Sequence, residues 1–350
     1  MSVLVYGAYG YTGQLVVDRA RALGLDFLVS GRDPARCAAL ATSAGVDARP
    51  TTLDDSAALD RALAGVKVVL HCAGPFSRTA RPMVDACLRN GVHYLDITGE
   101  IEVFEAVAAR GPEAERAGVM LMPGVGFDVV PTDCLAAHLK RRLPDANHLR
   151  MALRTNGRMS HGTATTMREN LHRGGCVRRG GRLVLEPTAA ETREFDFGAG
   201  AGLCPAIRVP WGDVSTAWYT TGIPDIDLFA AMPLGVRVFA RASNWVRPVL
   251  GSRWFQAWMK ARIEAAPAGP TAEQRARGRF WIYGEAVNAS GQKVAARVRA
   301  MDGYDFTALA ATEIARRALA GETTPGFRTP AMQYGPDLCV GWAGVEREDV

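Results

Sequence analysis

Up to Pro131 the chain alternates short apolar runs with stretches of helical periodicity. Ser2–Tyr6, Asp26–Ser30, Val66–Cys72, His93–Ile97 and Val119–Met122 read as strands, with a shorter one through Asp47–Thr51. Thr12–Leu23 and Thr79–Asn90 carry apolar residues at helical spacing. Strands that alternate with helices predict an α/β domain built on a parallel, doubly wound sheet.

That rhythm stops after Pro131. A helix is expected over Thr132–Arg142, with Pro131 or Thr132 at its start. Residues 150–225 are rich in Gly, Arg and Thr and read as strands and loops. Leu234–Arg262 interleaves Trp and Phe with Arg and Lys at partly helical spacing, and Pro248 and Gly251 interrupt it. Two short helices with a bend fit this better than one straight helix. Ala265–Gly278 reads as a surface connection. Arg279–Asn288 and Gln292–Met301 predict a hairpin, Thr307–Leu319 a last helix, and a Gly/Pro-rich tail follows.

Composition narrows the classes. The 350 residues are enough for one large domain or two ordinary ones, and 48% hydrophobic content predicts packed cores. The 41 basic and 36 acidic residues are interspersed, so the net charge of +5 does not indicate nucleic-acid binding. It suits an anionic cofactor or an anionic membrane surface. The seven cysteines are widely spaced, with no paired or His-flanked cluster, so reduced thiols and no metal site are expected. Met1 and Ser2 lead straight into apolar residues, and no apolar run is long enough to span a bilayer. A cytoplasmic protein is expected, with peripheral membrane contact as a further possibility.

The chemistry starts at Val3-Leu-Val-Tyr-Gly7-Ala-Tyr-Gly10-Tyr-Thr-Gly13. A strand runs into three glycines and then a helix. Gly7 permits the tight turn, Gly10 lets backbone approach a pyrophosphate, and Gly13 allows close helix–strand packing. The helix N-terminus offers free N–H groups and a positive dipole end to phosphate. Tyr9, Tyr11 and Thr12 fill the turn and join the expected cofactor lining.

The next strand selects the cofactor. An enzyme specific for NAD places Asp or Glu at its tip. Here Phe27-Leu-Val-Ser30 runs into Gly31-Arg32, so Arg32 is expected to pair with a 2′-phosphate and Ser30 to donate to it. Asp33-Pro34 reads as an N-cap with Pro at the first helical position. NADPH is the expected cofactor. Ala73, Gly74 and Pro75, after the strand ending at His71, are expected beside the nicotinamide ribose. His71 and Cys72 read as structural groups.

A reduction also needs a proton. Asp96 and Glu100 in Tyr94–Glu100 are the obvious titratable groups at the next strand tip. Either acts as the acid, or Asp96 braces the loop and Glu100 opens the following helix. Asp128 and Tyr304 are further candidates.

These motifs resemble the saccharopine dehydrogenase-like oxidoreductases, and within them the branch of the trans-acting enoyl reductases. The resemblance rests on Gly7–Gly13, Ser30-Gly-Arg32, Ala73-Gly-Pro-Phe76, Tyr94–Glu100 and Gly126–Asp133. Ser160-His-Gly-Thr163, Gly269–Arg275 with Gly278, Gly303-Tyr304 and Thr329-Pro330 extend it. The chain departs from the pattern at Val129 and His161. The resemblance implies a Rossmann-type dinucleotide domain over residues 1–131, interrupted by an α+β substrate domain over 132–302. Residues 303–350 would return to the first domain, and the active site would be the cleft between domains.

Three functions remain open. Reduction of an activated C=C bond of an apolar, acyl- or polyketide-like substrate follows the branch. Reduction of a C=N bond, as in saccharopine formation, follows the wider family. A non-catalytic NADPH sensor or scaffold is the third. The expected partner is a small molecule, free or carrier-bound. Leu234–Arg262 is expected to cover the substrate cleft and to offer contact to a bilayer or a carrier-bound chain. The plain alternative is an amphipathic helix packed on the core.

Overall fold

The computed structural model describes residues 2–350. The chain forms two compact units: one runs as far as Val130 and includes Tyr304–Gln333, the other is Pro131–Gly303 with Tyr334–Val350.

The first unit holds strands β1 (Ser2–Tyr6), β2 (Phe27–Ser30), β3 (Val66–His71), β4 (His93–Asp96) and β5 (Met120–Met122). A two-residue strand, Gly326–Phe327, completes a six-stranded sheet in which β2, β1, β3, β4, β5 and that strand lie side by side. Every neighbouring pair is parallel. Val3, Leu4, Val68, Val69, Leu95 and Leu121 are fully or almost fully buried, as expected of strands covered on both faces. Helix Tyr11–Ala22 contributes Val16, Val17 and Ala20 to the core. β1 lies between β2 and β3, so the strand order reverses there, and the carboxyl ends of β1 and β3 form the switch point where such sheets bind ligands.

The expected strand over Asp47–Thr51 is reduced to a single bridge, Val29 with Ala48. Pro50 has no N–H to continue a ladder, which limits the pairing. Helix Phe76–Asn90 begins three residues earlier than its apolar spacing suggests, for a reason that lies in Glu100.

The second unit holds β6 (His148–Thr155), β7 (Gly175–Arg179), β8 (Arg182–Glu186), β9 (Thr192–Asp196), β10 (Leu203–Arg208), β11 (Asp225–Ala231), β12 (Arg279–Val287) and β13 (Lys293–Met301). The main sheet runs from β9 through β10, β11, β6 and β12 to β13 and ends on Glu346–Asp349, with the β7–β8 hairpin attached at β11. β6 and β11 pair in parallel, whereas β6–β12, β12–β13, β10–β11 and β9–β10 are antiparallel. The hairpin expected from residues 279–301 forms in full register from Arg279↔Met301 to Val287↔Lys293. Phe195, Phe197, Phe229 and Trp281 centre one core cluster of this unit.

Three expectations need correction. The tail does not return to the first unit throughout: Gly326–Phe327 joins the first sheet, but Glu346–Asp349 pairs antiparallel with β13 of the second. The edge of β13 offers unpaired backbone groups, and ion pairs of Asp337 with Arg141 and Arg347 hold the tail nearby. Residues 150–225 also contain helices His161–Asn170 and Asp213–Thr221. Three threonines lower the helical propensity of the first, which is rescued by its Ser160 cap and by reciprocal bonds between Arg168 and Gln256 of a neighbouring helix. The connection 265–278 contains helix Ala272–Arg277, closed by a Thr271/Gln274 capping box.

Candidate functional site

Gly7 leaves β1 at φ 77°, a conformation that disfavours a side chain, and a Cβ there would lie 2.7 Å from the Ala73 Cβ and 2.9 Å from its backbone nitrogen. The first glycine thus brings the ends of β1 and β3 into contact at the switch point. A Cβ on Gly13 would lie 2.3 Å from the Gly7 carbonyl oxygen, so that glycine is fixed by packing against the turn. Gly10 is the N-cap of helix Tyr11–Ala22 and supplies no side-chain cap. The first-turn amides have no acceptor within their helix and suit a phosphate. Thr12 lies half-buried in that turn, and Tyr11 packs edge-on against Tyr304, with ring centroids 5.2 Å apart.

Tyr9 seals the tip of β2. Its ring lies over Gly31, where a Cβ would meet ring carbon Cε1 at 2.5 Å. Its hydroxyl accepts the Asp33 N–H at 3.2 Å. Arg36 stacks on the ring at 4.3 Å and donates to the Tyr9 carbonyl. Arg32 is exposed and makes no hydrogen bond or ion pair among the described residues. Ser30 does not serve as expected: it is fully buried, and its single hydroxyl proton goes to the Arg49 carbonyl at 2.7 Å. Arg32 therefore stands at this tip with Arg36, which sequence reading passed over. The signal was there, because Arg36 lies four positions after Arg32, in the first turn of helix Pro34–Ala44. Asp33 caps that helix as expected, accepting from Ala35 and Arg36.

After β3 the chain passes Ala73, exposed Gly74 and Pro75. Thr79 holds this bend by donating to the Ala73 carbonyl at 2.7 Å, with the Pro75 carbonyl at 3.2 Å. His71 lies 3.0 Å from the same Thr79 hydroxyl and packs among Tyr6, Phe76 and Tyr94. Burial pushes its pKa down to about 3, so it stays neutral and structural. Burial pushes the Cys72 thiol up to about 12, which suits an inert residue.

The two carboxylates named as acids are braces. Asp96 is fully buried. Its Oδ2 accepts from the Tyr94 hydroxyl at 2.6 Å, and its Oδ1 accepts from the amides of Thr98 and Gly124, both at 2.9 Å. It ties the tip of β4 to the loop after β5. Desolvation raises its pKa to about 6 against these bonds. Glu100 spans the start of helix Phe76–Asn90, where Oε1 accepts from Phe76 N–H and Oε2 from Ser77 N–H, both at 2.9 Å. Pro75 is the N-cap of that helix and has no capping side chain, so Glu100 supplies the missing acceptors. Asp128 is half-buried against Gly99, where a Cβ would meet its carboxyl oxygen at 3.1 Å, and desolvation raises its pKa to about 6.

Residues 3–122 match the family model described as the saccharopine dehydrogenase NADP binding domain. The N-terminal region is similar to that domain. Its cofactor is NADP, in keeping with the arginine at the β2 tip. A saccharopine dehydrogenase-like oxidoreductase of Homo sapiens is 29% identical over 161 residues, covering 40% of this chain and 38% of that protein. A probable mitochondrial one of Arabidopsis thaliana is 33% identical over 155 residues, covering 37% of this chain and 33% of that protein. The chain thus spans only 33–38% of the length of these relatives. A trans-acting enoyl reductase of Mycobacterium bovis is 26% identical over 276 residues, covering 72% of this chain and 63% of that protein. Saccharopine dehydrogenase of Saccharomyces cerevisiae shares the fold, with a TM-score of 0.69 at 15% identity over 100% of this chain and 99% of that one.

Within the second unit, an open groove of about 550 Å³ runs between helices His161–Asn170 and Arg253–Glu264. Met159, His161, Trp258, Met259 and Ile263 line it, so its walls are mainly apolar.

Proposed function

We propose that the chain is an NADPH-dependent reductase acting on an activated C=C bond of a largely apolar substrate. The reach of the likeness supports this reading over C=N reduction. One enoyl reductase match, at 26% identity, covers 72% of the chain, although another covers 40%, as far as the saccharopine dehydrogenase-like proteins at 37–40%. The apolar groove in the second unit is in keeping with it.

The residues present fit the cofactor. The Gly7–Gly13 turn has no room for side chains at Gly7 or Gly13, and the uncapped first turn after Gly10 offers amides to the pyrophosphate. Arg32 would hold the 2′-phosphate, with Arg36 alongside on Tyr9. Ala73, Gly74 and Pro75 would line the ribose, their bend held by Thr79 and by the Glu100 cap. When bound, NADPH supplies the hydride. The chain has to admit one proton, and Asp128 is the group we assign to that task. Asp128 is half-buried beside Gly99, and burial raises its carboxyl to about 6, so an acid form persists toward neutral pH.

The test is turnover of NADPH with a panel of α,β-unsaturated thioesters, enones and imines. Reduction of the unsaturated acyl compounds is expected. Turnover confined to imines would replace this reading with the C=N one. Tight NADPH binding with no turnover in any fraction of a metabolite extract would make the chain a sensor.

A further inference from the structure

The stretch after Pro233 folds as helices Leu234–Ala242, Arg247–Leu250 and Arg253–Glu264, with a tight turn at Ser243–Trp245. Neither longer helix has a buried residue. A surface helix of a globular protein turns its apolar stripe inward and its charges to water. Leu234–Ala242 leaves its apolar residues outward. Leu234 and Val238, one turn apart, are 67% and 60% exposed, and Phe239 is 50% exposed. Arg237 is the less exposed side chain, and Arg241 reaches back to the Ala189 carbonyl.

Arg253–Glu264 repeats the theme. Trp254 and Trp258, again one turn apart, are 66% and 53% exposed and flank Phe255, with ring centroids 5.8 and 5.7 Å away. Arg262 lies over the Trp258 ring. Trp245 in the linking turn is 82% exposed. The whole stretch carries the bases Arg237, Arg241, Arg247, Arg253, Lys260 and Arg262 and the single acid Glu264.

We infer that this surface docks on an anionic lipid bilayer. Outward Trp, Phe, Val and Leu suit the boundary between head groups and acyl chains, where tryptophan partitions well. The exposed bases Arg241, Arg253, Lys260 and Arg262 flank them and meet anionic head groups, their apolar stems lying along the interface. A second copy of the chain would cover the apolar residues equally well but would set bases against bases. No helix among the described residues is long and apolar enough to cross a membrane, so the contact lies in the interface plane.

The experiment uses the full chain in flotation with vesicles of phosphatidylcholine alone or mixed with phosphatidylserine. The protein should float with the mixed vesicles, shift its tryptophan emission to the blue, and be released by high salt. Trp245→Ser with Trp254→Ser, the two most exposed tryptophans of the stretch and neither in the groove, should abolish the emission shift and flotation. Arg241→Glu with Arg253→Glu should weaken binding by about fivefold or more for each base lost. Both double variants should keep the wild-type melting temperature and NADPH affinity, because they alter exposed side chains. A folded, NADPH-binding protein that floats with neither vesicle overturns the inference, whether or not it turns over a substrate. So does a dimer in sedimentation that the tryptophan substitutions dissociate, or capture by an acidic carrier protein without vesicle binding.

Discussion

Glu100→Gln separates a cap from an acid. In the wild type the carboxylate accepts two amide hydrogens, from Phe76 and Ser77, each at 2.9 Å. Glutamine keeps one acceptor oxygen and turns its NH2 toward the other amide, so one bond is lost and two donors face each other. A charge-assisted bond of this kind contributes about 1.5–3 kcal/mol. Losing the negative charge at a helix N-terminus costs about 0.3–1 kcal/mol more. Phe76 is buried, but Ser77 is exposed and its amide can turn to water, so the low end of the bond estimate applies. A net loss of about 2–2.5 kcal/mol should lower Tm by roughly 4–10 °C for a domain of this size. The assay pairs thermal melting with turnover per folded molecule at saturating NADPH. A cap predicts the Tm loss with turnover reduced less than about tenfold. Loss of a general acid typically costs about 100- to 10,000-fold in rate with no call on stability. Wild-type stability with such a rate loss would refute the capping argument and restore Glu100 as the proton source.

Two further outcomes are expected. Arg32→Ala should weaken NADPH binding by about tenfold or more while leaving NADH affinity unchanged, read by titration of cofactor fluorescence, because the lost contact is to the 2′-phosphate alone. Equal affinity for both cofactors in the wild type would sink that assignment. Asp128→Asn should remove a rate limb that falls as pH rises through about 6, and it should change stability in a pH-dependent way. The folded pKa of Asp128 lies above its ordinary 3.8, so folding favours the protonated form. Its contribution is greatest below pH 4 and is lost as pH rises toward 6. The asparagine variant should therefore gain Tm relative to the wild type across that window. A Tm difference independent of pH would show that Asp128 titrates normally.

Local demands made much of this protein legible from its sequence. Period-two and period-3.6 patterns depend on near neighbours, so five strands of the first sheet and the hairpin 279–301 were visible. The glycine spacing from Gly7 to Gly13 and the Asp33-Pro34 cap are likewise short-range requirements of one turn and one helix end. What side chains do with their polar atoms depended on partners brought from elsewhere. Ser30 gives its proton to a carbonyl 19 residues away, and Asp96 and Glu100 accept from amides 28 and 24 residues away. A titratable group at a strand tip has the same local signature whether it braces a loop or faces a ligand. Only the packed sheet decides which amides point at it. The same reasoning covers the tail, claimed by the open edge of β13, and Leu234–Ala242. Its partly helical spacing of apolar and basic residues predicted an amphipathic stretch, but which side meets the rest of the protein is a property of the tertiary fold, and there the apolar residues turn outward.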